Sequence, residues 1–124
     1  MRVPVLTLDC ENITKVIAIA TAISSLAPEK HLLYEWMSYL TGTLHGAGFG
    51  NLTRPQRWTG DLEAFEGIQV KARTCVKDCF DWIEGRLERG WAVGEEMMAV
   101  DPYLFVFWRR GNEAGFEMKV KYKK

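Results

Sequence analysis

The sequence predicts an α+β domain: an antiparallel sheet of four or five strands with three helices packed on it, in the order β-α-α-β-α-β-β-β. Three observations carry this. A run of apolar, mostly aromatic and β-branched residues, Tyr103 to Trp108, is followed by the turn-forming segment Gly111-Asn112-Glu113-Ala114-Gly115 and then by strict alternation from Phe116 to Lys123. Two stretches in the first forty residues place apolar side chains at helical spacing. The composition, 48% hydrophobic and 26% charged, is that of a folded core and not of a disordered chain.

The C-terminal segment reads as a β-hairpin. Aromatic and β-branched residues suit a pleated, buried surface, and Tyr103–Trp108 is apolar on both faces of a strand. Asp101-Pro102 would turn the chain into it. In the returning strand, Phe116, Met118, Val120 and Tyr122 face one way, and Glu117, Lys119, Lys121 and Lys123 the other. Such a lysine face is expected in water, where it blunts edge-to-edge pairing.

Earlier elements follow in order. Arg2 to Leu8 reads as a first strand, kept at an edge by Pro4. Asp9 would cap a helix from Cys10 to Leu26, with Ile13, Val16, Ile17, Ala20 and Ile23 on its buried stripe. Pro28 would open a second helix running to about Thr41, with Leu33, Trp36, Met37, Leu40 and Leu44 at its core face. Gly42 to Gly67, rich in glycine, reads as one long connection of the kind that is mobile or functional. Ile68 to Arg73 alternates like a half-exposed strand. Thr74 would cap a third helix to Arg89, with Val76, Phe80, Ile83 and Leu87 buried, and Trp91 to Val100 reads as a further strand.

At 124 residues the chain is expected to form a single domain, 1–124, with a substantial core. The net charge of zero provides no long-range field for nucleic acid or an anionic membrane. The start reaches an acidic residue before any long apolar run, so no signal peptide is expected. The segment Ile13 to Leu26 is too short to span a bilayer. Three cysteines, an odd number, suit a reducing cytoplasm better than a disulfide framework.

No catalytic signature stands out, and the catalytic residues are left unassigned. His45-Gly46-Ala47-Gly48-Phe49-Gly50 has glycines that could cradle a phosphate, with Arg54, Arg57 and Trp58 following. It lacks the strand before it and the helix after it that a phosphate loop requires. His45, Arg54, Arg57 and Trp58 are nonetheless the candidate ligand-binding residues: a base, two bidentate cations and an aromatic contact in one segment. Cys75 and Cys79 share one helical face, and a zinc held with His45 or Cys10 is weighed against buried thiols, which are preferred. No metal and no cofactor is expected.

Three functions are ranked on this basis. The first is a small cytoplasmic protein acting through protein–protein contacts, self-associating as a homodimer and not an enzyme. The alternative is a small enzyme or small-molecule-binding domain, with a pocket between helices and sheet closed by the Gly42–Gly67 segment. The last is nucleic-acid binding through Arg109, Arg110, Lys119, Lys121 and Lys123, which the zero net charge disfavours.

Overall fold

A computed structural model describes residues 5–8, 11–24, 30–87 and 90–122. Strand β1 (Val5–Leu8) pairs antiparallel with β2 (Glu11–Thr14), Val5 opposite Thr14 and Leu8 opposite Glu11. Across the pair, Thr7 Oγ1 donates to Asn12 Oδ1 at 2.8 Å. No further strand follows among the described residues. Helix α1 (Val16–Ser24) leads to α2 (Lys30–Tyr39), which runs without a break into a wide π-helix, Leu40–Gly50, and one further turn, α3 (Asn51–Thr53). A 3-10 turn, Pro55–Arg57, leads to the long helix α4 (Ala64–Arg86), then α5 (Val100–Glu113) and the short α6 (Met118–Lys121).

The core lies where the π-helix and α4 pack together, with α2 and α5 closing it. The stripe read for the second helix is buried as expected: Leu33, Trp36, Met37, Leu40 and Leu44 are all at most 3% exposed. So is the stripe of Val76, Phe80, Ile83 and Leu87. The first helix departs from its reading. Residues 11–14 pair as a strand, Val16 and Ile17 are exposed, and Ala20 is the buried contact. Asp9 and Cys10, where the helix was to begin, and Arg2 to Pro4 lie outside the described residues.

The expected four- or five-stranded sheet and C-terminal hairpin are contradicted; the described residues hold one two-stranded sheet. Val100–Glu113 is helical, and the physical reason is at its start. The Asp101 carboxylate accepts from the backbone N–H of Met98 at 2.7 Å and of Ala92 at 2.9 Å. From the first turn of the helix, that carboxylate ties down the two backbone N–H groups of the segment leading into it, so the chain enters α5 in a fixed direction. Pro102 sits in the first turn, where its missing N–H is harmless. Val100, Tyr103, Phe107 and Gly111 then fall on one face, and Val100 and Phe107 are fully buried. The strand reading fitted the residue types but missed this second periodicity.

The connection expected over Gly42–Gly67 is also corrected, since most of it is helical. Glycine in a helix costs up to about 1 kcal/mol each relative to alanine, and packing offsets the cost here. Leu44 and Phe49 are buried, and Gly48 lies so close to α4 that a Cβ there would stand 2.8 Å from Val76 Cγ2. Ile68–Arg73 and Thr74 are interior to α4, not a strand and a cap. Trp91–Glu96 forms bends, with Gly94 at positive φ, and Val100 already opens α5, so the strand read over Trp91–Val100 is not formed. Tyr122 closes the fold: its hydroxyl donates to Asp81 Oδ1 at 2.6 Å, and its carbonyl accepts from Trp108 Nε1 at 3.1 Å.

Candidate functional site

Four cationic or titratable side chains converge beside the π-helix. His45 extends from it and meets Phe107 edge-on, with ring centroids 5.8 Å apart. Phe107 stacks on Phe49 at 5.9 Å and takes the edge of Tyr103 at 4.8 Å. Arg110, one turn beyond Phe107 on α5, lays its guanidinium 4.8 Å from the Phe49 ring centre. Burial lowers the His45 pKa below its usual value, and Arg110, Arg54 and Arg57 lower it further by disfavouring a second positive charge nearby. His45 is therefore held neutral at physiological pH, as an acceptor or donor and not a cation. Among the described residues, none of these three arginines is paired with a carboxylate. Guanidiniums without a carboxylate partner among the described residues, near a neutral imidazole, have donors with which a carboxylate can be held bidentately.

Two cavities lie apart from this cluster, and none of His45, Arg54, Arg57 and Arg110 lines either of them. The larger, about 460 Å³, lies between the end of α4, the bend at Gly90–Trp91, α5 and α6. Its walls are Phe80, Ile83, Leu87, Trp91, Leu104, Phe105 and Trp108, with Glu84, Asp101 and Lys119 supplying charge. The smaller, about 270 Å³, lies between the π-helix and α4 and is lined by Ala47, Asn51, Trp58, Ile68, Lys71, Ala72 and Cys75. Asn51 Oδ1 is buried there without a hydrogen-bond partner.

The two described thiols differ in exposure. Cys79 is buried and Cys75 half-buried. Burial pushes the Cys79 thiol up to about 11, and the same cause, joined by a hydrogen bond to Cys79, raises Tyr39 above the usual phenol range. Tyr39 stacks on Trp82 at 4.1 Å, and Arg86 caps the other end of that aromatic cluster, 4.5 Å from the Trp82 ring centre. No group of three or more candidate metal ligands occurs among the described residues.

Of the residues singled out in the sequence, His45, Arg54 and Arg57 are close enough to interact, whereas Trp58 lines the smaller cavity, 70% exposed. Arg110 completes the first group and was assigned in the sequence to a nucleic-acid face. A helical reading of α5 would have found it, because Tyr103, Phe107 and Arg110 are spaced i, i+4 and i+7. The lysine face has no strand beneath it. Lys119 and Lys121 are in α6, Lys119 lines the larger cavity, and Lys123 lies outside the described residues. Arg109 pairs with Glu113 at 3.5 Å. No helix among the described residues is long and apolar enough to cross a membrane.

No protein-family description matches the sequence, and no curated protein matches it. The fold is similar to the crystal structure of a glutathione transferase homologue from Sulfitobacter with bound glutathione. The TM-score is 0.79 at 25% sequence identity, over 97% of this chain and 70% of that one. This similarity overturns the first-ranked reading, a non-enzymatic protein acting through protein–protein contacts, and favours the alternative of an enzyme or small-molecule-binding domain. The fold is accordingly glutathione-transferase-like and mainly helical.

Proposed function

We propose that this protein binds a small anionic thiol compound of the glutathione type and works as a glutathione-transferase-like enzyme. The observation that carries the reading is the fold similarity to a homologue holding glutathione. Glutathione presents two carboxylates at neutral pH, and carboxylates are what unpaired guanidiniums recognise. His45, Arg54, Arg57 and Arg110 are the residues proposed for that polar end, and Trp58 for a flanking aromatic contact. The apolar wall of Leu104, Phe105 and Trp108 suits the hydrophobic group of a second substrate. The chain would act in the cytoplasm. Exposed Phe105 and Val106 keep a homodimer within the proposal, and sedimentation of the same sample would read it.

Calorimetric titration with reduced glutathione tests the reading. Saturable binding is expected, weakened about tenfold or more in Arg54→Ala/Arg57→Ala, the scale of a lost charge-assisted hydrogen bond. Absorbance assays with a chloronitrobenzene electrophile would then show thioether formation. Absence of both binding and conjugation at millimolar glutathione would refute it.

A further inference from the structure

The larger cavity carries more chemistry than an apolar wall. Two of its rings, Phe105 and Trp108 on α5, are stacked: their planes differ by 12° and their centroids are 6.0 Å apart. Ile83 and Leu87 of α4 line the cavity too, and its volume, about 460 Å³, is that of a small-molecule site. Phe105 is nonetheless 61% exposed, so the described chain leaves this platform uncovered. Val106 beside it is outside the cavity wall and stays available for a contact between copies.

Most polar groups of the wall already have partners. Both Asp101 oxygens accept backbone N–H bonds, from Ala92 and from Met98. The Trp108 indole donates to the Tyr122 carbonyl, and the Tyr122 hydroxyl donates to Asp81. Lys119, on α6, is different. It is the one lysine or arginine of the wall among the described residues, and it makes no ion pair there. We infer that this cavity binds a flat aromatic monocarboxylate, its rings laid on the Phe105–Trp108 platform and its anion toward Lys119. Parallel rings present a face on which a planar guest stacks. An unpaired ammonium at the edge of an apolar space supplies the charge-assisted hydrogen bond for one carboxylate. A second anion on the guest would meet Glu84 or Asp101, which restricts the guest to a single charge. The inference rests on the reading of this wall as the place of a second substrate, and adds the shape and charge of what sits there.

Fluorescence anisotropy with 2-anthracenecarboxylate and with the neutral 2-anthracenecarboxamide tests it. The titrations contain no glutathione, so a failure here is distinct from a failure of the function proposed above. Saturable binding of the carboxylate is expected. Lys119→Gln should weaken the carboxylate about fivefold, the effect of one unit charge at contact in water, and leave the amide unchanged. Phe105→Ala should weaken both probes by about threefold or more, the scale of one aromatic contact. Both replaced side chains are exposed, so neither substitution opens the core. Lack of saturation by the carboxylate, a carboxylate affinity unchanged in Lys119→Gln, equal losses of both probes in that variant, or indifference of both to Phe105→Ala would each overturn the proposal.

Discussion

The π-helix Leu40–Gly50 and helix α5, Val100–Glu113, pack against the same core but owe their helicity to opposite causes. The first is rich in glycine, has no side-chain cap, and is held from outside by Leu44, Gly48 and Phe49 against α4. The second is rich in residues that favour strands and is held at its start by the Asp101 carboxylate. Each contains a glycine at a point of close approach: Gly48 against Val76, and Gly111 against Met118, whose Sδ would be 2.7 Å from an added Cβ. The contrast teaches that a local preference yields to packing in one case and, in the other, to packing joined by a first-turn carboxylate that ties down the preceding segment. In both cases glycine marks where a neighbour comes nearest, not where the chain turns.

Substitutions can break this comparison at graded depths. Phe107→Ala should have the largest effect. Its ring is fully buried and joins His45, Phe49 and Tyr103, so truncation should cost about 3–5 kcal/mol in denaturant unfolding. Gly48→Ala should cost about 1–3 kcal/mol, because Val76 is wholly buried and cannot move aside. Asp101→Ala should cost about 1–3 kcal/mol, the loss of a carboxylate that accepts from two part-buried backbone N–H groups. Gly42→Ala reverses the sign. It lies in the same π-helix, an added Cβ meets nothing within 4 Å, and stability should rise by up to about 1 kcal/mol. Equal effects at Gly42 and Gly48 would show that packing against α4 does not hold the π-helix.

The smallest effect is on pH dependence. The folded-state pKa of His45 is lowered, so the unfolded chain binds the proton more tightly. The His45 contribution is fully present above the ordinary histidine pKa, about 6.5. It is lost as pH falls below that value through the folded pKa. His45→Gln should flatten this part of the stability–pH curve, read by urea unfolding between about pH 5 and 7.

These same regions show what was legible in the sequence. The stripes Leu33–Leu44 and Val76–Leu87 were readable, because polar residues separate apolar ones at helical spacing and the core they predict is the core observed. Tyr103–Trp108 was not, because an unbroken apolar run satisfies period two and period 3.6 equally; what accompanies the helix is non-local in pattern, the Asp101 side chain reaching back to Met98 and Ala92. Ile68–Arg73 alternated by chance within a helix whose buried positions are Ala72, Val76, Cys79, Phe80 and Ile83. His45, Arg54 and Arg57 were legible as a group because they are near in sequence. Arg110 was not, because it arrives from α5. The larger cavity was invisible for the same reason: Asp101, Leu104, Phe105 and Trp108 of its wall come from α5.

The central claim is that the arginines around His45 receive a carboxylate-bearing thiol compound of the glutathione type. The most direct measurement is a calorimetric titration of reduced glutathione into the wild-type chain and into Arg110→Met. Methionine keeps apolar cover over Phe49 while removing the charge. The account predicts saturable binding to the wild type, weakened about tenfold or more in the variant with its thermal midpoint little changed. Equal affinity in the two proteins would contradict it.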